Sequence, residues 1–236
     1  MAYGIKLKVW GDYASFNRPE MKVERVSYDV MTPSAARGIL EAIYWKPEMR
    51  WVVDEIHVLN PIRFTSVRRN EINCKIPVHG GTGVSAVMKK GSGRLGISVE
   101  EHRQQRAGLM LRDVCYGIAA HIELLKNGNE DHPEVKHLDT FRRRAEKGQY
   151  FHHPYLGNRE FPAFFELLTD FPPCSEELHG VRDLGYLLHD IIYSPSTRGK
   201  IVESNQGRRL NAEPRFFRAT LRDGVLSVPP LEEAIA

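Results

Sequence analysis

Cysteine is scarce and unpaired by motif: Cys74, Cys115 and Cys174 are far apart and form no C-x-x-C pair. An odd count without zinc spacing argues for reduced thiols and a cytoplasmic protein. No run of about 18 apolar residues occurs, which excludes a membrane-spanning helix. The first eight residues, Met1 to Lys8, carry lysines where a secretory signal would be apolar. There is no Walker loop, no dinucleotide fingerprint and, despite ten histidines, no His-Glu-x-x-His motif. His132 and His137 are spaced so that they do not share a helical face, and the expectation is a protein with no metal and no cofactor. Repeats and low-complexity tracts are also missing. A strong charge bias is absent too: the net charge is +3, so only the placement of charge can argue for a nucleic acid.

The chain has 236 residues, of which 42% are hydrophobic, enough for a sizeable core without disulfide or metal staples. Residues 3–10 alternate, with Tyr3, Ile5, Leu7 and Val9 on one face, and predict a half-buried strand. After a polar excursion, Thr32 and Pro33 read as an N-cap and first helical residue. Ala36, Ile39, Leu40 and Ile43 follow at helical spacing to about Trp45. Strands are expected at 51–59, within 62–76, at 109–125 and at 161–168, with a second helix over 133–147. The glycine-rich stretch 78–96 reads as a mobile basic loop or loose hairpin. Short strands are expected at 185–193, 216–221 and 225–228, the last two joined by an Arg222-Asp223-Gly224 turn. The fold class is α+β: a ferredoxin-like (RRM-like) βαββαβ domain over 1–170 and a small β-rich region over 171–236.

The second helix carries the chemistry. At about 100° per residue, Val135, Leu138, Phe141 and Ala145 form its buried face. Lys136 then points outward and His137 lies on the flank, both near the helix N-terminus, where an anion is favoured. Arg142, Arg143, Arg144 and Lys147 follow, then His152, His153 and Arg159, a footprint suited to a polyanion. A solvated basic helix face is the commoner use of such residues. Tyr44, from the end of the first helix, reaches the same space if the two helices lie side by side and antiparallel. Elsewhere a boundary tyrosine simply packs its ring and wets its hydroxyl. Imidazole, ammonium and phenol together suit metal-free RNA cleavage, in which the 2′-hydroxyl attacks its own phosphate.

Several segments resemble one known family. Ile5–Val9 with Trp10-Gly11-Asp12-Tyr13-Ala14-Ser15-Phe16, then Ser27-Tyr28 and Thr32 to Leu40, are similar to the CRISPR-associated Cas-five family. Ala42-Ile43-Tyr44-Trp45-Lys46-Pro47 resembles its type I-C variant. The likeness extends through Asp54-Glu55-Ile56 and Pro61-Ile62, then resumes at Val135-Lys136-His137 and Tyr155 to Phe161. It implies an endoribonuclease that trims precursor CRISPR RNA at the base of the repeat hairpin. Such a subunit keeps the mature RNA's 5′ handle within the type I-C surveillance complex, so its partners would be precursor and mature CRISPR RNA and the other subunits. Double-stranded DNA is a further candidate partner; a membrane is not. The resemblance implies Tyr44, Lys136 and His137 as catalytic residues. Arg37, Lys89, Lys90, Arg94, Arg142, Arg143, Arg144, Lys147 and Arg159 are the candidate RNA-binding residues.

Two other readings compete. A non-catalytic module would bind the handle without cutting it. A metal-dependent DNA-acting subunit would need a carboxylate cluster that the sequence does not offer.

Overall fold

A computed structural model describes residues 4–21, 23–80, 83–93, 95–125, 133–196, 201–202 and 209–236. The elements in order are β1 (Ile5–Ala14), α1 (Pro33–Ile43), β2 (Met49–Val58), β3 (Phe64–Ile72), α2 (Val84–Lys90), α3 (Val99–His102), β4 (Arg103–Leu124), α4 (Pro133–Glu146), β5 (Phe164–Leu168), β6 (Val181–Pro195), β7 (Ile201–Val202), β8 (Arg209–Arg222) and β9 (Val225–Ser227). All nine strands join one sheet, whose main path runs β5-β1-β4-β2-β9-β8-β6. Its β5-β1-β4-β2 part, with α1 and α4 as crossovers, is an α+β arrangement with antiparallel neighbours.

The sequence explains the helix-bearing face. Alternation in β1 buries Ile5, Leu7 and Val9, and β2 and β4 add Trp51, Val53, Ile56, Ile118 and Ala120. Onto them α1 lays Ala36, Ile39, Leu40 and Ile43, while α4 lays Leu138, Phe141 and Ala145. The Trp51 and Phe141 rings meet edge-on at 4.8 Å and lock α4 to the sheet. Thr32 caps α1, its hydroxyl accepting from the Ala35 N–H at 3.3 Å, and Pro33 follows as the first helical residue.

The opposite face is partly covered by the chain itself. Phe171 crosses it, packing on the His57 ring at 4.1 Å. A Cβ at Gly117 would stand 2.6 Å from the Phe171 ring, so this close crossing requires glycine.

Several expected boundaries move. Strand β1 continues to Ala14 instead of ending near Trp10, because β4 offers partners as far as Leu111. Strand β4 is 22 residues long and starts at Arg103: its first half pairs with β3 as a ribbon, and its second half enters the sheet between β1 and β2. The loop expected over 78–96 contains helix α2 (Val84–Lys90), capped by Gly91, among its described residues. Val135, assigned to the buried face of α4, is 40% exposed because the first turn overhangs the core. Strand β5 begins three residues late, at Phe164, and β6 and β8 are longer than expected. The β8–β9 turn is as expected: Asp223 (φ 46°) and Gly224 (φ 76°) both take the left-handed backbone of a tight two-residue hairpin. Strand β9 hydrogen-bonds to β2, so the C-terminal strands extend the first sheet.

Replacing Phe141 with alanine should cost about 3–5 kcal/mol by opening a cavity against Trp51. Chemical denaturation checks this; a loss below about 1 kcal/mol would mean that α4 is held by something else.

Candidate active site

Tyr44 sits just beyond α1, at its C-cap, with extended backbone (φ −157°, ψ 127°). It is therefore not in the last helical turn, where the periodicity placed it. The helix stops before Trp45-Lys46-Pro47, since proline disfavours helical backbone in the residue before it. The change of backbone turns the Tyr44 side chain out of the α1 stripe and towards α4. Two bonds hold its main chain: the N–H donates to the Leu40 carbonyl at 2.9 Å, and its carbonyl accepts from the Trp51 indole at 2.9 Å.

The Tyr44 hydroxyl lies 2.8 Å from Nδ1 of His137, joining residues 93 apart in the chain. Tyr44 is 5% exposed and His137 6%, so the pair is buried, whereas the helical wheel placed His137 on a flank. The difference arises because α1 and the following turn cover that flank of α4. Nε2 of His137 faces the Glu48 carboxylate, with Oε1 at 3.9 Å. Lys136 is exposed, and its ammonium acts on Tyr44 electrostatically. The Thr140 hydroxyl donates to the Lys136 carbonyl at 2.8 Å.

Burial, and then the Glu48 charge, raise the Tyr44 pKa above the ordinary phenol value; Arg144, the nearby Thr140 hydroxyl and Lys136 pull it down less. The phenol is therefore protonated at neutral pH and can donate. Arg144 stacks its guanidinium over the Tyr44 ring at 5.2 Å and donates to the Ile43 carbonyl at 3.1 Å.

The basic candidates divide by what they already hold. Arg37 is fixed by Glu41 at 3.1 Å and by Asp190 of β6 at 2.8 Å, tying α1 to the C-terminal strands. Arg142 reaches the Gly4 carbonyl at 3.1 Å and Asp139 at 3.6 Å. Arg144 covers the Tyr44 ring. Arg143, Lys147, Arg159, Lys89 and Lys90 are exposed. Arg94 lies outside the described residues. Lys89 and Lys90 end helix α2, which belongs to the segment between β3 and β4 and not to α4.

Sequence reasoning passed over Glu48, Thr140 and the role of Arg144. The last two had a signal, since residues 137, 140 and 144 recur on one helical face. Glu48 had none beyond its place after Pro47. Among the described residues no group of three or more His, Cys, Asp or Glu side chains could hold a metal ion, and no helix is long and apolar enough to cross a membrane.

Residues 4–229 match the family described as CRISPR-associated protein (Cas_Cas5), in its Cas5d form. The chain is 49% identical over 234 residues to a Mannheimia succiniciproducens protein named CRISPR pre-crRNA endoribonuclease Cas5d, covering 98% of this chain and 96% of that one. A Thermus thermophilus protein of the same name is 43% identical over 231 residues, covering 95% and 91%. Two solved structures share the fold. A functionally uncharacterized Streptococcus mutans protein superposes with a TM-score of 0.65 at 20% identity, covering 99% of this chain and 95% of that one. A CRISPR-associated protein gives 0.63 at 22% identity, with the same coverage. The family suggested by the Ile43-Tyr44-Trp45-Lys46-Pro47 run and by Val135-Lys136-His137 is thus the one found by comparison over nearly the full length, and the chain belongs to the Cas5d family of CRISPR-associated proteins.

Proposed function

We propose that this chain is a metal-independent endoribonuclease that cuts precursor CRISPR RNA at the base of the repeat hairpin and then holds the 5′ handle within a type I-C surveillance complex. The observation that carries the reading is the 2.8 Å contact between Tyr44 and His137, beside the exposed Lys136. The names of the two relatives support it. The ferredoxin-like reading of residues 1–170, with a β-rich region after them, is supported by the β5-β1-β4-β2 order.

In this reading the 2′-oxygen attacks the adjacent phosphorus, the bond to the 5′-oxygen breaks, and a 2′,3′-cyclic phosphate forms. One proton leaves the 2′-hydroxyl and one reaches the departing 5′-oxygen, so no water is consumed. Tyr44 orients or activates the 2′-hydroxyl, His137 accepts and returns the proton, and Lys136 offsets charge on the phosphorane. The exposure of Arg143, Lys147, Arg159, Lys89 and Lys90 supports them as phosphate contacts, whereas Arg37, Arg142 and Arg144 already hold groups of this chain.

A second reading has its own support. Both rings are almost fully buried, as in a structural tyrosine–histidine bond, and a handle-binding subunit would need no more.

Incubation with repeat RNA in EDTA separates the two: cleavage to cyclic-phosphate and 5′-hydroxyl ends is expected. His137→Ala should slow it by about 10²–10⁴-fold. Intact RNA at stoichiometric protein, or undiminished cutting by the variant, defeats the enzyme. For the phosphate contacts, Arg143→Ala with Lys147→Ala should reduce the magnitude of the log–log salt slope by about 1.4 for single-stranded RNA, and Arg37→Ala should leave it unchanged. Equal slopes for the double variant and wild type would remove both residues from the interface.

A further inference from the structure

His137 is engaged on one edge of its ring and faces a carboxylate on the other. Nδ1 meets the Tyr44 hydroxyl at 2.8 Å, and Nε2 looks toward Glu48 Oε1 at 3.9 Å. A Tyr44 hydroxyl that keeps its proton can donate to Nδ1. The neutral imidazole then carries its own proton on Nε2, the nitrogen turned toward Glu48.

Glu48 is held where it can matter. Its turn is closed by the Met49 N–H donating to the Lys46 carbonyl at 3.2 Å. The Glu48 carbonyl accepts from the Leu125 N–H at 2.8 Å, which fastens this turn to the end of β4. The backbone is thus tied at the mouth of the pair while the side chain stays half-exposed. Lys136 and Arg144 place positive charge around Tyr44, and Glu134 in the first turn of α4 lies three residues before His137. Asp139 of the same helix is paired with Arg142 at 3.6 Å.

We propose that Glu48 is a positioning residue for the cleavage reaction, its carboxylate selecting the Nε2–H form of His137 and stabilising the imidazolium that forms when Tyr44 passes a proton to Nδ1. This rests on the endoribonuclease reading. The 2′-hydroxyl proton moves to the Tyr44 oxygen as the Tyr44 proton moves to Nδ1, so one proton enters the pair and one positive charge appears on the imidazole. That proton returns through the same pair to the departing 5′-oxygen, which restores the neutral ring. The arrangement repeats the logic of a carboxylate that orients a histidine base, with a phenol where a serine usually stands. Because Glu48 is half-exposed and 3.9 Å away, its effect falls below that of a buried, directly bonded carboxylate.

In single-turnover cleavage of repeat RNA at neutral pH, Glu48→Gln should be about tenfold slower. Proton–nitrogen correlation spectra of labelled histidine should show His137 as the Nε2–H form in the native protein and as a mixture in Glu48→Gln. Glu48→Asp, which keeps the charge, should recover part of the rate and of the tautomer preference. A Glu48→Gln protein with native rate and native tautomer would overturn the proposal. So would equal defects in the Gln and Asp variants. If His137→Ala still cuts RNA, the endoribonuclease mechanism fails instead, and the tautomer spectra still decide whether Glu48 orients the ring.

Discussion

The bond between the Tyr44 hydroxyl and His137 Nδ1 exists only because α1 and α4 are held at a fixed separation on one face of the sheet. Trp51 does much of that holding. Its indole N–H donates to the Tyr44 carbonyl, and its ring takes the edge of Phe141 on α4. One buried side chain therefore sets both partners of the pair. Arg144 closes the arrangement from the other side, reaching from α4 to the Ile43 carbonyl and covering the Tyr44 ring. Apolar packing brings the helices together, and a few directional bonds between them set where the polar atoms meet.

The basic residues show how differently neighbouring side chains on one helix can be used. Arg142, Arg143 and Arg144 are consecutive, yet the first binds a carbonyl of the first strand's lead-in, the second is exposed, and the third stacks on tyrosine. At about 100° per residue, three successive positions point to three environments. A guanidinium bound to a main-chain carbonyl and a ring loses those contacts if it turns to a phosphate. An exposed one loses only water. Charge counting along the sequence could not make that distinction. The same holds for Arg37, whose partner Asp190 is 153 residues away.

The elements that could be read in advance are those whose signal is local. Thr32-Pro33 marked the start of α1, the β1 alternation marked its buried face, and Asp223-Gly224 marked the final hairpin. Other features depended on distant partners. The full length of β4 follows from its pairing with three strands in succession, and nothing within the run Arg103 to Ala107 announces a strand. Val135 obeyed the helical period but lay beyond the edge of what the sheet could cover.

For the site, spacing and chemical type made Tyr44, Lys136 and His137 candidates, and the family resemblance implied their role, because helix periodicity and side-chain chemistry are properties of short stretches of chain. Their arrangement was decided only by folding: Tyr44 left the helix, His137 was buried rather than flanking, and Glu48 came to face the second imidazole nitrogen. The physical reason is one of range. Backbone preference acts over a few residues, whereas hydrogen bonds and burial are set by whichever segments the sheet order brings within a few ångströms, and that order is a property of the whole chain.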